Sequence, residues 1–203
     1  SDLPGGRGDG APISTLVEFQ DGGKLAQVVT DTPDSVYFFA NSGGYGFLCS
    51  VADATSRQRA GKAFMSLEKG ERPLAPAKAI GEWIAAASEN GRLLVFPRAE
   101  MKKQTGGRGV IVMALDDGEP LSAVAVPADD AVLTIEGIGR GGKAITQELK
   151  PTQRETLRHR RYAEMSGRAF VPTDIGKIVS KFLVKYLGNH VEYGFTAQRE
   201  DVL

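Results

Sequence analysis

The amino-acid sequence predicts a mainly β protein, built as a propeller-like array of four-stranded antiparallel blades. The first observation is a repeat: residues 36–67 align without a gap on residues 84–115, a shift of 84 − 36 = 48 positions. The second observation is the pattern inside each copy, in which short apolar runs are separated by glycine-containing turns. A period of roughly 40–50 residues with this pattern is typical of propeller blades.

Composition narrows the class of protein. With 203 residues, 41% apolar and 25% charged, the chain has an ordinary globular composition. No apolar run approaches the roughly 20 residues that span a bilayer, and residues 1–10 lack the features of a signal peptide, so a cytoplasmic location is expected. The single cysteine, Cys49, excludes an internal disulfide and a cysteine-based zinc site, and a buried structural thiol is predicted.

The net charge is zero, but charge is unevenly distributed. Residues 151–203 carry nine lysines and arginines against six acids, which leaves 25 − 9 = 16 basic and 25 − 6 = 19 acidic residues in the first 150. Nucleic-acid binding by bulk charge is therefore not indicated, and any such site must be a local patch.

Strands are predicted in order along residues 13–136, after a Gly- and Pro-rich loop at 1–12. The first unit has strands at 13–19, 26–30, 36–40 and 45–51, a hairpin turn at 41–44, a long connection at 52–62 and a closing strand at 63–67. The second unit, residues 72–115, turns at Asn90-Gly91, a pair that favours a tight primed turn. A third unit begins with strands at 121–126 and 131–136.

After Pro151 the pattern changes from strands to helices. Thr152 and Glu155 have the spacing of a capping box and predict a helix to about Arg161. Residues 162–171 predict a hairpin, residues 173–187 predict a helix with one apolar face, and Thr196 is predicted to start a last helix. This order is typical of a winged-helix-like unit, so the chain divides into a domain at 1–150 and a segment at 151–203.

Residues 3–150 resemble the C-terminal domain family of the A subunits of bacterial DNA topoisomerase IV. This domain is related to the C-terminal domain of gyrase A. The stretches YGFLCSVADATSRQRAGKAFMSL, NGRLLVFPRAEM and GGRGVIVMAL carry the resemblance. It implies a β-pinwheel that binds duplex DNA and steers the choice of topological substrate in a type II, ATP-dependent enzyme. The implied partners are double-stranded DNA and the ATPase subunit, together with the rest of the A subunit, in a nucleoid-associated location. ATP and magnesium would act elsewhere in the holoenzyme, with no cofactor in this chain.

Residues 151–203 instead resemble a segment of type IA DNA topoisomerase. The motifs are PT-x-x-x-T-L from Pro151, FVPTDIGKIV and YGFTAQRED. Two families that meet near Lys150–Pro151 indicate a fusion or an artificial join. In both families the strand-cleaving tyrosine lies upstream of the part resembled, so no catalytic residue is predicted, and the five tyrosines are predicted to be core or interface residues.

The predicted DNA-binding residues are cations of the long connections and of the tail helix. Residues 57–63, RQRAGKA, are a degenerate form of the glycine-rich basic box of the gyrase family. Repeated blades would set such cations along one rim, where they contact phosphates. Arg154 and its neighbours on the tail helix are either solvated or in contact with phosphate. The predicted site residues are Arg57, Arg59, Lys62, Lys102, Lys103, Arg108, Arg140, Lys143, Arg158 and Arg161.

Two other functions are open at this point. If the loop cations are only solvated, the chain is a structural or protein-interaction propeller. Gly137, Gly139 and Gly142 also match the G-x-G-x-x-G fingerprint of a dinucleotide-dependent oxidoreductase. That fingerprint must open a helix, which Pro151 would interrupt early, and a repeated hairpin turn explains the same glycines. His159 and His190 lack a nearby acidic cluster, so no metal site is predicted.

Overall fold

Three antiparallel sheets form the described part of the computed structural model. The described residues are 10, 12, 15, 17, 19, 23–58, 60–89, 92–138, 144–158 and 194–198. No helix within them is long and apolar enough to cross a membrane. The strands are β1 (Val36–Ala40), β2 (Tyr45–Ser50), β3 (Ala77–Lys78), β4 (Trp83–Ser88), β5 (Leu93–Pro97), β6 (Val110–Ile111), β7 (Leu121–Ala125), β8 (Val132–Ile138), β9 (Ala144–Leu149) and β10 (Gly194–Gln198). The helices are α1 (Val51–Ala54) and α2 (Pro151–Arg158), with a 3-10 turn at Arg98–Glu100.

Each sheet is one blade, built around a central hairpin. The strand orders are β3-β1-β2-β6 in blade 1, β5-β4-β7 in blade 2 and β10-β8-β9 in blade 3. The first hairpin strands begin at Val36, Trp83 and Val132, which are 83 − 36 = 47 and 132 − 83 = 49 residues apart. The predicted mainly β fold and its repeat are therefore confirmed, and the repeat continues into a third unit. Among the described residues only blade 1 has the predicted four strands, while blades 2 and 3 each have three.

The blades exchange strands along the chain. In blade 1, β3 comes from the second unit and pairs with β1, with Phe38 opposite Ala77. Strand β7 occupies the same position on β4 in blade 2, with Ala86 opposite Val124. Strand β6, also from the second unit, pairs with β2 through Gly46 and Val110. Blade 1 is thus complete only when the second unit is in place.

The core lies between the faces of consecutive blades. Successive residues of a strand point to opposite faces of its sheet. Accordingly, Ile84 and Ala86 of β4 pack in the cluster shared with blade 1, which includes Phe38 and Leu48. Ala85 of the same strand packs in the second cluster, with Leu133 of blade 3. Blade 2 is buried on both faces, which explains the uninterrupted apolar run of β4.

Three predicted strands are wrong. Residues 23–32 form no regular structure and are mostly exposed, and the described positions of the 13–19 segment, residues 15, 17 and 19, are not in strands. Residues 63–67 contribute only an isolated bridge, from Met65 to Gly107. β-branched residues favour a strand only where a neighbouring strand supplies partners. The described residues supply no neighbouring strand to 23–32.

Helix α2 begins at Pro151, one residue before the predicted start. Proline suits the first helical position, because a backbone N–H there would have no partner within the helix. The Lys150 N–H donates to Gln153 Oε1 at 2.7 Å, which is half of a capping box. The predicted capping box of Thr152 and Glu155 is therefore displaced by two residues. The helix predicted from Thr196 is wrong, because residues 194–198 form β10 beside β8. Residues 159–193, with the predicted hairpin and long helix, lie outside the described residues.

Candidate nucleic-acid interface

Two long connections meet on blade 1. Connection 1 is residues 51–67, which follow β2, and connection 2 is residues 98–109, which follow β5. The Gly107 N–H donates to the Phe64 carbonyl at 2.7 Å, and the Ser66 N–H donates to the Gly107 carbonyl at 3.2 Å. Equivalent segments of successive units therefore lie side by side on one blade, whereas the sequence repeat alone predicted regular spacing along a rim.

Connection 1 is anchored on the outer face of blade 1. The ring of Phe64 lies 4.8 Å from that of Phe39 and 5.4 Å from that of Phe47, both in edge-to-face geometry. The Lys62 ammonium donates to the Asp53 carbonyl and lies 6.0 Å from the centre of the Phe64 ring. These contacts leave the Lys62 and Arg57 side chains exposed above the blade.

Connection 2 runs along the side of β2 that faces away from β1, before the chain enters β6. The Leu48 N–H donates to the Lys102 carbonyl and the Leu48 carbonyl accepts from the Gln104 N–H, both at 2.9 Å. The side chains of Lys102 and Lys103 are exposed. At the end of the connection Gly109 has φ +86°, and a Cβ on it would lie 2.3 Å from the Gly46 carbonyl oxygen, so only glycine allows this approach.

Ion pairing separates the cations into two groups. Arg72, Lys78, Arg92, Arg98 and Arg108 each lie within 4.0 Å of a carboxylate. Arg154 is buried, and the side chain of Arg158 is outside the described part, so neither belongs to these two groups. None of the other cations in the described ranges has a described carboxylate within ion-pair distance. That unpaired group is Lys24, Arg57, Lys62, Lys69, Lys102, Lys103 and Lys150. Most of its members belong to the two connections or to the turn that follows connection 1.

Arg108 differs from the other predicted site residues whose side chains are described, because it already forms ion pairs with carboxylates. Its two terminal nitrogens lie 3.1 and 2.7 Å from the two carboxylate oxygens of Glu71, and Nη1 lies 3.2 Å from Glu68. The guanidinium stacks 4.1 Å from the centre of the Tyr45 ring. Burial alone would lower the pKa of Arg108, but the hydrogen bond and charges of Glu71 and Glu68 outweigh it, so the pKa is raised.

The glutamate that binds Arg108 belongs to a turn that recurs in the next unit. Residues 68–71 read Glu-Lys-Gly-Glu and residues 116–119 read Asp-Asp-Gly-Glu, a shift of 119 − 71 = 48. In both turns the last glutamate accepts the backbone N–H three residues earlier, at 2.8 and 3.1 Å. Glu119 binds Arg92, as Glu71 binds Arg108. This acid-x-Gly-Glu turn was not among the features predicted from the sequence, although its recurrence at the repeat distance is a signal for it.

Arg154 is neither solvated nor available to phosphate. Its side chain is buried, with 1% of the residue exposed, and it donates to the carbonyls of Ala128, at 3.0 Å, and Ala131. Burial lowers the pKa of Arg154. The residue therefore fixes helix α2 to the loop between blades 2 and 3. The interpretation of Arg154 as a surface cation is wrong.

The remaining predicted site residues stay untested by the described part of the structure. Arg59, Arg140, Lys143 and Arg161 lie outside the described residues, as does the side chain of Arg158. Where side chains are described, no group of three His, Cys, Asp or Glu residues could hold a metal ion.

Comparison with known proteins agrees with this architecture. The family model "DNA gyrase C-terminal domain, beta-propeller" matches residues 36–72 and 82–128. The DNA topoisomerase 4 A subunit of Neisseria gonorrhoeae is 38% identical over 157 residues, which is 73% of this chain and 20% of that protein. The chain is homologous to the C-terminal domain of the topoisomerase IV A subunit. The resemblance of the first 150 residues to this family is thereby confirmed.

Other A subunits of topoisomerase IV give the same result. The Escherichia coli protein is 27% identical over 173 residues, 81% of this chain and 23% of the relative. The chain spans about a fifth of the length of these relatives. The solved C-terminal domain of E. coli ParC has a TM-score of 0.66 and 24% identity, covering 77% of this chain and 64% of that one. The gyrase A C-terminal domain has a TM-score of 0.54 and 18% identity, covering 70% and 47%. Both solved structures share the fold.

Proposed function

We propose that this chain binds duplex DNA without sequence preference, as an accessory domain of a type II DNA topoisomerase. The observation that carries the proposal is the group of unpaired, exposed cations where connections 1 and 2 meet: Arg57, Lys62, Lys102 and Lys103. A cation already paired with a carboxylate gains little from a phosphate, whereas an unpaired one releases counterions from DNA when it binds.

The geometry of the connections favours phosphates over bases. Backbone hydrogen bonds hold connection 2 to β2 through Leu48 and join the two connections through Phe64 and Gly107, while the side chains of Arg57, Lys102 and Lys103 are exposed. Lysine is a compact point charge that binds phosphate without directional readout. Contacts of this kind position a duplex and carry no sequence information.

Homology supports a wider assignment within the holoenzyme. We propose that the chain steers substrate choice for a topoisomerase IV at the bacterial nucleoid, where its partners are the ATPase subunit plus the rest of the A subunit. The strand-cleaving tyrosine, ATP and magnesium would belong to those other parts, so the chain alone would not be active. Arg59, Arg140, Lys143, Arg158 and Arg161 remain candidate contacts.

Two charge-reversal variants test the DNA-binding proposal. Arg57→Glu with Lys62→Glu should abolish binding of a labelled linear duplex in a gel-shift titration at low salt. The matched control, Lys24→Glu with Lys150→Glu, changes the net charge equally at unpaired cations outside the connections and should bind much as the original chain does. Equal weakening by both variants would show that only total charge matters.

The same titration decides the rival function. If the original chain binds no duplex even at low salt, the proposal is wrong, and a structural or protein-interaction propeller with solvated cations becomes the better interpretation. A dinucleotide that raises the melting temperature would instead support the oxidoreductase interpretation of Gly137, Gly139 and Gly142.

The origin of residues 151–203 is a separate proposal. The type IA motifs support a join near Lys150–Pro151, whereas the contacts of Arg154 and the pairing of β10 with β8 attach the described parts of this segment to the blades. Sequencing the source DNA across this junction tests whether it is one natural reading frame. A frame that is continuous in genomic DNA would rule out an artificial join.

A further inference from the structure

We propose that Arg108 is a positioning residue, whose pairing with Glu71 holds connection 2 against connection 1 so that their unpaired cations form one phosphate-binding surface. The inference rests on the proposed DNA binding and changes the role of a residue that the sequence predicted to touch DNA. It also explains why an arginine at the centre of the interface faces carboxylates.

The pairing geometry makes Arg108 a poor phosphate ligand. Both terminal nitrogens are bound by Glu71, at 3.1 and 2.7 Å, and the guanidinium carbon lies over the Tyr45 ring, 4.1 Å from its centre. The side chain of Arg108 is 27% exposed and that of Glu71 is 13% exposed. A phosphate would have to displace a two-point, partly buried carboxylate, which is among the strongest hydrogen-bonded pairs in proteins.

Glu71 is also held by contacts that do not involve Arg108. Its Oε2 accepts the Glu68 N–H at 2.8 Å, within the acid-x-Gly-Glu turn, where Gly70 has φ +90°. On the other side, a Cβ at Gly43 would lie 1.9 Å from Glu71 Oε1, so the carboxylate packs directly on the turn between β1 and β2. The equivalent Glu119 holds Arg92 in the next unit. In both units, therefore, the last glutamate of this turn forms an ion pair with an arginine.

Connection 2 needs such a contact because its end is rich in glycine. Gly106, Gly107 and Gly109 all have positive φ. Glycine has many backbone conformations available in the unfolded chain, so ordering this segment costs more conformational entropy than ordering other residues. Two backbone hydrogen bonds, through Phe64 and Ser66, join this turn to connection 1. Arg108 lies within the same turn and adds charged pairs to Glu71 and Glu68, residues that directly follow connection 1. Its ion pair therefore joins the two basic segments.

The direction in which one substitution changes the affinity for DNA distinguishes the two roles. Glu71→Gln removes the charge that holds Arg108 but keeps the shape of the side chain. If Arg108 positions the surface, affinity for a labelled mixed-sequence duplex should fall by roughly twofold to thirtyfold, the range of coupling through a contact network. If Arg108 is a phosphate ligand, its release should raise the affinity. Glu89→Gln, which removes one charge from the pair of Glu89 with Arg72, is the matched control and should not weaken binding.

Arg108→Lys provides a second, independent comparison. A phosphate accepts lysine as a point charge, but the two-point pair with Glu71 requires the guanidinium. The positioning role therefore predicts that Arg108→Lys weakens binding as much as Arg108→Gln, and that adding Glu71→Gln causes no further loss. An Arg108→Lys variant that binds like the original chain, with Arg108→Gln reducing the salt slope by about 0.9, would overturn the inference.

Hydrogen exchange tests the positioning role without DNA. The amides of Gly107 and Gln104 are bonded to Phe64 and Leu48, respectively. Glu71→Gln should accelerate exchange at Gly107 with an unchanged rate in the β4–β5 hairpin, and unchanged exchange at Gly107 would contradict the inference. If the original chain fails to bind DNA, the proposed function fails, while the exchange result still decides whether Arg108 joins the connections.

Discussion

The carboxylate of Asp31 lies 2.6 Å from the ammonium of Lys78, and this pair attaches the segment before β1 to the outer strand of blade 1. Asp31 also accepts a hydrogen bond from the Tyr37 hydroxyl at 2.9 Å. Hydrogen bonds from Lys78, then Ser35, Thr32 and Tyr37, hold the pKa of Asp31 well below its ordinary value of 3.8. The contact therefore makes stability depend on pH.

We expect Asp31→Asn to lower the melting temperature at neutral pH, and the difference from the original chain to shrink in acid. A carboxyl whose folded pKa is depressed contributes stability above its unfolded pKa and loses it as pH falls toward the folded pKa. The difference should thus be constant at neutral pH and decrease below about pH 4. Thermal melts across this range measure it. Asp34→Asn, at an exposed neighbour, is the control, and a difference that persists unchanged in acid would contradict the assignment.

Two glycines at equivalent repeat positions should respond differently to alanine. Gly61 has φ +75° with open space around it, while Gly109 has φ +86° and lies against the Gly46 carbonyl. Gly61→Ala should cost about 1–2 kcal/mol for the left-handed backbone alone. Gly109→Ala adds a clash with backbone and should cost more than about 3 kcal/mol. Urea unfolding measures both, and equal losses would show that the approach to Gly46 is not tight.

Loss of the buried Arg154 should destabilise the attachment of helix α2. Arg154→Ala leaves the carbonyls of Ala128 and Ala131 without their charged donor, and we expect a loss of about 2–4 kcal/mol in the free energy of unfolding. Thr152→Ala, at an exposed position of the same helix, should change stability by no more than about 0.5 kcal/mol. Denaturant titration compares the two. Similar small losses in both variants would mean that Arg154 contributes little.

The salt dependence of DNA binding should depend on how many cations of connection 2 contact phosphates. Each phosphate contact contributes about 0.9 to the slope of log affinity against log salt. Lys102→Gln with Lys103→Gln should therefore reduce the slope by about 1.8, while Lys24→Gln with Lys150→Gln should leave it unchanged. Fluorescence titrations at several salt concentrations give both slopes. An unchanged slope in the first variant would exclude both lysines from phosphate contact.

Sequence patterns predicted the hairpins well because each depends on local signals. The strands β1, β2, β4 and β5 are apolar runs that flank glycine-containing turns, so neighbouring residues alone determine their pairing. Strand exchange could not be predicted in the same way. Strand β6 has two residues, and its partner Tyr45 is 111 − 45 = 66 positions earlier, so no local pattern marks the pair.

The candidate interface was predicted in part, for a similar reason. Exposure of Arg57, Lys102 and Lys103 follows from their place in polar connections. Arg108 and Arg154 belong to the same residue type, but distant groups decide their environment. The partner of Arg108 is 108 − 71 = 37 residues away, and Arg154 is buried by carbonyls of the preceding loop. Charge alone does not distinguish a free cation from one that already has a partner.

The pairing of β10 with β8 has a consequence for the order in which the protein assembles. Leu133 pairs with Ala197, a separation of 197 − 133 = 64, whereas the equivalent pairs Ala85 with Ala125 and Tyr37 with Lys78 are separated by 40 and 41. The longer closure costs only about 0.4 kcal/mol more in chain entropy. Its effect on timing is larger, since on the ribosome the edge of β8 stays open until residues 194–198 have been made. During that interval the nascent β8–β9 hairpin presents one unpaired strand edge, which is a surface for chaperones or for wrong association.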